Sequence, residues 1–368
     1  MTARSVDVVI TGGGTGGHVT PALAIADALV AGGHAVSTIR FIGAARGLEA
    51  QAVPAAGYDI ELLTLDGVQR SLRPRAILRS VRALLAFVGA CWHCIRRFRR
   101  TPPAVVVGVG GYASAPAVLA ARVLRLPTVV HEQNAVPGVV NRVAVRCGAR
   151  PATSFPVAQW PTATMTGNPV RHAIRSVDRR PSAPPLVAIV GGSLGAGRLN
   201  DVGLGLYDVW RDRSDVAVRH VAGTRNIDEC RTRLAGLARS TDRLQYELVE
   251  FETDMASLYT HASLMVCRSG ATTVAELAAV GIASVLVPWS GSAEGQQLAN
   301  AHALADVGAA VVVGDEECTV DRVAPLVSEL VADPDRRHAM GAAARALGRP
   351  DAHVRLVRLI EEAAHGSR

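Results

Sequence analysis

The chain opens on an apolar run, Val6 to Ile10, with no polar alternation, the pattern of a strand buried on both faces. Five glycines within Gly12-Gly13-Gly14-Thr15-Gly16-Gly17 then break it, His18 follows, and Pro21 with Leu23, Ile25 and Leu29 starts a helix. Alternation continues from there. The spacing predicts helices over 22–31, 48–55, 76–98, 115–124 and 138–147, and strands over 37–42, 60–65, 104–109 and 128–131. Such alternation predicts a doubly wound parallel sheet, whose ligands bind beyond the carboxyl ends of the strands. The clusters Gly12–His18, Gly110-Gly111-Tyr112 and His131-Glu132-Gln133-Asn134 fall at those ends.

From Pro151 to Pro185 the pattern lapses. Seven prolines fall there, and the stretch reads as an interdomain connection with a short strand near 163–166. A second α/β half follows. Leu186–Val190 predicts a strand, Gly191-Gly192-Ser193-Leu194-Gly195-Ala196-Gly197 a turn, and the next residues a helix to about Trp210. Further strands are expected at 216–221, 246–251, 264–267, 284–287 and 310–313, with helices over 273–279 and 296–305. The expected domains are 1–168 and 169–349. A last helix, within 350–368, follows Gly348-Arg349-Pro350 and is expected to return to the first domain. Two glycine-turn sheets in tandem predict a ligand in the cleft between them.

Composition narrows the class. At 368 residues, two domains are expected. The 49% hydrophobic and 19% charged residues describe a soluble globular protein, and no apolar run reaches the ~18 residues of a membrane span. No signal-peptide pattern precedes Asp7, and six irregularly spaced cysteines suit reduced thiols in the cytosol. All 39 basic residues are arginine, and the net charge of +7 suits an acidic partner: nucleic acid, an anionic membrane or a phosphorylated ligand.

The Gly12–His18 turn, leading from a strand into a helix, makes an anion site of free backbone N–H groups, with a titratable imidazole at its end. A nicotinamide site would need an acid about 20 residues on, and Ile42-Gly43-Ala44-Ala45 offers none. Gly191–Gly197 gives a second helix N-terminus, with Ser193 as an added donor. Arg268-Ser269-Gly270-Ala271-Thr272-Thr273-Val274-Ala275-Glu276 gives a third. There Ser269 or Thr272 can cap the helix, and Glu276 reads equally as a capping acid or as an acceptor for a ribose diol. Cys91-Trp92-His93-Cys94 is a single Cys-x-x-Cys; on a helix the two thiols simply share a face, which favours packing over a metal site.

Taken together, Gly13-Gly14-Thr15-Gly16-Gly17-His18, Gly110-Gly111-Tyr112, His131-Glu132-Gln133-Asn134, Gly167-Asn168-Pro169-Val170-Arg171, Gly191-Gly192-Ser193, Cys267-Arg268-Ser269-Gly270-Ala271 with Glu276, and Gln297 with Asn300-Ala301 span nearly the whole chain. In that order and spacing they resemble the MurG family of glycosyltransferases, in glycosyltransferase family 28. The resemblance implies two Rossmann-like doubly wound parallel-sheet domains facing across a cleft, the GT-B fold. It implies inverting transfer of N-acetylglucosamine from UDP-GlcNAc to the 4-hydroxyl of the muramyl sugar of lipid I, giving lipid II for peptidoglycan synthesis, with no cofactor and no metal.

By position, the resemblance places the donor on Ser193, Ala271, Thr272, Thr273, Val274, Ala275, Glu276, Gln297 and Arg171, with Thr15, Gly16, Gly17 and Asn134 from the first domain. Glu252 joins this set as a departure, standing where an apolar residue usually meets the uracil; Leu194 is another, in place of the usual Gln. The acceptor falls to Gly14, His18, Tyr112, Gln133 and Asn134. His18 is the expected catalytic base, since an imidazole accepts a proton near neutral pH. The segment Ser290-Gly291-Ser292-Ala293-Glu294-Gly295 before Gln296 is a third departure, and the three leave open a different nucleotide sugar or a natural-product or lipid acceptor; a catalytically silent nucleotide-sugar-binding protein is the remaining alternative.

Arg70 to Arg100 holds nine arginines and no acid, interleaved with Leu84, Leu85, Phe87, Val88, Trp92, Ile95 and Phe98. Packing on the sheet accounts for part of this. Arginine at both ends with Trp92 suits docking on anionic lipid through Trp92, Arg96, Arg97, Phe98, Arg99 and Arg100. The expected location is the cytoplasmic face of the cell membrane, held peripherally. Nucleic acid is not an expected partner, since aromatics are only 4% of the chain and form no stacking platform.

Overall fold

The computed structural model describes residues 6–14, 16–65, 74–192 and 195–366, and the side chains of all these except 74–80. Thr15, Ser193, Leu194, Arg70 and Arg73 lie outside the described residues. The chain divides into two compact units. One comprises Met1–Pro169 with Asp351–Arg368, the other Val170–Pro350.

In the first unit strands and helices alternate as β1 (Val8–Thr11), α1 (Gly16–Ala31), β2 (Ile39–Ala44), α2 (Glu49–Ala55), β3 (Asp59–Leu63), α3 (Pro74–Arg100), β4 (Val105–Gly108), α4 (Ala115–Val123), β5 (Thr128–Glu132), α5 (Val139–Arg146), β6 (Arg150–Thr153) and β7 (Thr164–Met165). All pairings are parallel, in the order β3-β2-β1-β4-β5-β6-β7. The central strands are buried on both faces, which is why their sequence does not alternate. Val8, Ile10, Val105 and Val107 pack on one side with Ile25 and Leu29; Val9 and Val106 pack on the other with Cys94, Phe98 and Ala117.

The second unit holds α6 (His172–Arg175), β8 (Leu186–Val190), α7 (Gly197–Trp210), β9 (Ala217–Val221), α8 (Ile227–Leu237), β10 (Gln245–Val249), α9 (Met255–His261), β11 (Ala262–Cys267), α10 (Ala271–Val280), β12 (Ser284–Leu286), α11 (Gln296–Ala305), β13 (Ala310–Val312), α12 (Val320–Ala332) and α13 (Pro334–Leu347). Its parallel sheet runs β10-β9-β8-β11-β12-β13, repeating the winding of the first. The final helix, α14 (Ala352–His365), belongs to the first unit. There it buries Leu356, Val357, Leu359 and Ile360 beside α1, each worth about 2 kcal/mol of burial. His34 ties it down, accepting from the Val6 N–H at Nδ1 and meeting Glu361 Oε1 from Nε2 at 2.9 Å.

Two features depart from the pattern reading. The proline-rich stretch holds a second strand besides the one expected near 163–166: β6 joins β7 in extending the first sheet, with Pro151 inside β6 opposite Val130. A proline without an N–H and a polar edge removed the apolar signal. Helices α8, α9, α12 and α13 add to the expected ones, and in α12 Val323, Ala324, Val327, Leu330 and Val331 trace a helical stripe. Pro325 and Pro334 interrupt that stretch.

Candidate active site

In each sheet the winding reverses beside the first strand of the unit. β1 lies between β2 and β4, and β8 between β9 and β11. Ligands of such sheets bind at the carboxyl ends beside that reversal. The loops there are the glycine-rich ones: after β1 and β4 in the first unit, after β8 and β11 in the second.

In the first unit His18 stands in the first turn of α1 with its ring on the backbone of Gly110 and Gly111. A Cβ at Gly110 would lie 3.3 Å from Cδ2, and one at Gly111 3.3 Å from Nδ1. Only bare backbone lets the two loops close on the imidazole. The Tyr112 ring covers Gly14, where a Cβ would lie 3.1 Å from Cε1. The fold thus gathers Gly14, His18 and Tyr112, with Gly16 and Gly17 opening the helix beside them. Burial pushes the His18 imidazole below its ordinary range, and the charge of Glu49 pushes it back up.

Glu132 builds the adjoining loop. Its carboxylate accepts from Asn134 N and Nδ2 at 3.0 and 3.1 Å, from Gly138 N at 2.9 Å and from Asn141 Nδ2 at 2.8 Å. His131 beneath is fully buried. Desolvation pushes it down to about 4, against the contact of Nε2 with Gly167 O at 2.9 Å. Gln133, expected on the acceptor side, lies inside the loop. It is 1% exposed, and its amide donates to His131 O and Nδ1. It shapes the loop from inside rather than facing a ligand.

In the second unit the turn after β8 leads to α7, and Gly192 leaves open space where a side chain would stand. After β11, Gly270 enters α10 without a side-chain cap. Neither reading of Ser269 and Thr272 as caps holds. Ser269 Oγ donates to Gln297 O at 2.7 Å, and Thr272 Oγ1 is buried without a partner. Glu276 is not a capping acid either. It is 5% exposed, and takes Tyr259 Oη–H on Oε2 at 3.0 Å and Arg171 on Oε1 at 3.4 Å. Burial raises its proton affinity, while Arg171 and Tyr259 lower it.

Arg171, Glu276 and the start of α10 therefore come together, with Thr272, Thr273 and Ala275 partly open. Ala271 and Val274 are buried and offer no reach beyond their backbone. Gln297 stands nearby, its Oε1 accepting from Trp289 N at 2.9 Å. Glu252, expected at the donor, is paired within the second unit. Its Oε2 is held by Arg219 at 2.8 Å and its Oε1 by Asp254 N at 3.0 Å, so its carboxylate faces its own unit.

The basic helix divides in two. Phe98 is not a surface residue: it is 2% exposed in the core, and Arg97 sits 3.6 Å from Glu61. Val81, Leu84, Leu85, Val88 and Trp92 form the exposed stripe, with Arg96 stacked on Trp92 at 5.8 Å and Arg99 and Arg100 exposed beyond. Cys94 packs inward, and burial pushes its thiol up to about 12, against the thiolate that a metal would need. Among the described residues no three of His, Cys, Asp and Glu gather into a metal-holding group, and no helix is long and apolar enough to cross a membrane.

The pattern reading overlooked Glu49, Tyr259 and Asn141. Glu49 begins a short helix and reads as a routine helix-start acid; Tyr259 and Asn141 sit within ordinary helical runs. Their roles arise from contacts distant in sequence, and only the glycines at 43 and 47 flanking the approach to Glu49 hinted at close packing.

Comparison with known proteins adds the following. The glycosyltransferase family 28 N-terminal domain matches residues 8–152, and the family 28 C-terminal domain matches residues 186–356. A protein of Halorhodospira halophila is 41% identical over 378 residues, covering 100% of each chain. One of Alkalilimnicola ehrlichii is 39% identical over 369 residues, 98% of this chain and 99% of its own. Both are named UDP-N-acetylglucosamine--N-acetylmuramyl-(pentapeptide) pyrophosphoryl-undecaprenol N-acetylglucosamine transferase. The crystal structure of Acinetobacter baumannii MurG aligns with a TM-score of 0.76 at 29% identity, covering 96% of this chain and 99% of that one. The glycotransferase of kitacinnamycin shares the fold alone, with a TM-score of 0.69 at 18% identity and coverage of 98% and 100%.

Proposed function

The chain belongs to glycosyltransferase family 28, and from that membership we propose that it transfers N-acetylglucosamine from UDP-GlcNAc to the lipid-linked muramyl-pentapeptide acceptor, forming the lipid-linked disaccharide of peptidoglycan synthesis. The observation that carries the reading is the likeness to so-named transferases across both units at once, and not over one nucleotide-binding half.

The first unit supplies the acceptor side. His18 takes the proton of the muramyl 4-hydroxyl; that oxygen bonds to the sugar's anomeric carbon, whose bond to the diphosphate breaks, and UDP leaves from the opposite face. The anomeric configuration inverts. The second unit supplies the donor side. Glu276 accepts from the ribose diol, and the backbone amides at the starts of α7 and α10 with Arg171 hold the developing charge on UDP. Glu252 shares Arg219 with Glu247.

The stripe from Val81 to Trp92, with Arg96, Arg99 and Arg100, docks on anionic lipid at the cytoplasmic face of the membrane, where the acceptor is anchored. Nucleic acid is no part of this reading.

The test uses purified protein, radiolabelled UDP-GlcNAc and a short-chain lipid I analogue. Formation of labelled disaccharide product is expected. Donor binding with no product supports a silent binding protein instead, and turnover only with another nucleotide sugar supports the altered-donor reading. Replacing Arg96, Arg99 and Arg100 by Gln is expected to abolish sedimentation with anionic vesicles, and unchanged sedimentation refutes the docking face.

A further inference from the structure

The glycine turn of the first unit is built on a buried carboxylate. Glu49, at the start of α2, is 1% exposed. Its Oε2 accepts from Gly14 N at 2.8 Å and its Oε1 from Ala44 N at 2.8 Å. It thereby ties the loop after β1 to the end of β2. The space for it is made by three glycines. A Cβ on Gly13 or Gly47 would land on the Glu49 carboxyl, and one on Gly43 would lie 2.6 Å from its Cγ. Part of the glycine richness at this turn therefore serves Glu49, and not only an incoming ligand.

We propose that Glu49 is a positioning residue for transfer: it fixes the Gly13–Gly14 backbone that leads into His18 and sets the field in which the His18 imidazole takes up a proton. The proposal rests on the reading of His18 as the base. The imidazole becomes cationic as it accepts the acceptor's proton, and a fixed negative charge nearby favours that form. The ring packs on the bare backbone of Gly110 and Gly111, with the Asn141 amide beside Gly110; Tyr112 covers Gly14, and α2 brings Glu49 against Gly13 and Gly14. Glu132 lies beyond Asn141 and is occupied by four donors. The charge of Glu49 favours the protonated ring, in opposition to burial.

The experiment compares wild type, Glu49→Gln, Glu49→Asp and His18→Ala as full chains, by the pH dependence of kcat/KM and by titration of ¹³Cε1-labelled histidine. Glu49→Gln keeps the size but not the charge. It is expected to weaken His18 proton affinity about tenfold, moving the imidazole midpoint and the acid limb of kcat/KM down by about one pH unit together. Turnover falls at least about tenfold while KM for UDP-GlcNAc stays within about twofold. Glu49→Asp keeps the charge but is too short to hold both N–H groups. Its expected result is lower kcat with the imidazole midpoint unmoved, and this variant decides the matter if Glu49→Gln does not fold. An unmoved midpoint in Glu49→Gln, or a lowered one in Glu49→Asp, overturns the proposal. Full activity in His18→Ala overturns the base assignment instead, and the imidazole titration separates the two failures.

Discussion

Replacing Tyr259 by Phe removes one oxygen and tests how the second unit holds Glu276. The Glu276 carboxylate is 5% exposed and has two stabilising contacts in view, Tyr259 at 3.0 Å and Arg171 at 3.4 Å. The Arg171 contact is long, and that side chain is half exposed, so water competes with it. The phenol is the better-made bond. Loss of a hydrogen bond to a buried charge costs about 1.5–3 kcal/mol. The pH sign follows from burial. Glu276 has a raised proton affinity in the folded chain, so the native state binds more protons than the unfolded one just above the ordinary carboxyl range. Stability from this group therefore declines as pH rises through the folded value. Removing a donor that favours the ionised form raises that value further, so the destabilisation in Tyr259→Phe is larger at pH 8 than at pH 5. If the carboxylate accepts from the ribose, the same loss raises KM for UDP-GlcNAc by about tenfold or more with kcat little changed. Thermal melts at the two pH values and steady-state kinetics check both. An equal loss at pH 5 and pH 8 refutes the account of the phenol. A changed melt with an unchanged KM removes Glu276 from the donor site.

Three further outcomes are expected. His131, pushed down to about 4 by burial, is neutral in the fold; the unfolded chain protonates first as pH falls below about 6.5, so stability is lost between those values by up to about 3 kcal/mol, and His131→Gln flattens that slope in denaturant titrations. Ile360→Ala, in the buried face of α14, destabilises the first unit by about 2–5 kcal/mol in chemical denaturation, and a loss under 1 kcal/mol means the helix is only loosely docked. Gly195→Ala puts a methyl on the Ala222 carbonyl at a φ of +80°, and is expected to abolish UDP binding by calorimetry while Gly236→Ala, with open space around it, leaves binding intact.

The sheets were legible because parallel strands buried on both faces leave unbroken apolar runs such as Val105-Val106-Val107, and because the turns at their ends need glycine. The loops flanking each reversal were legible for the same reason. What escaped was set by partners far away in sequence. Phe98 and Trp92 look alike in an arginine-rich helix, yet one packs on the sheet and the other faces outward; the helical phase separates them only once the buried face is known. Gln133 reads as a polar loop residue, but its neighbour His131 turns it inward. Glu252 reads as an intruder in a nucleotide site until Arg219, in the middle of β9, is seen to hold it. Pro151 hid a strand because sheet membership there depends on β5 and β7 rather than on its own propensity.

The buried carboxylates also bear on which unit takes the diphosphate. Both units present glycine turns at helix starts, so backbone amides alone do not choose. In the first unit, however, the loops at the reversal are assembled on Glu49 and Glu132, which accept from backbone N–H groups and side-chain amides without formal charge. A phosphate charge about 8 Å from such a carboxylate is opposed by about 2 kcal/mol at an effective dielectric of about 20. In the second unit the corresponding acids are matched: Asp315 faces Arg268 at 2.6 Å and Arg198 at 3.9 Å, and Glu276 faces Arg171. The matched acids therefore favour the nucleotide diphosphate on the second unit, and the carboxylates of the first disfavour an anion within their immediate reach. Hydrogen exchange with saturating UDP alone puts this to the test. Slowed exchange is expected at 195–200 and 270–276 with little change at 16–20, and protection concentrated at 16–20 would reverse the assignment of donor and acceptor sides.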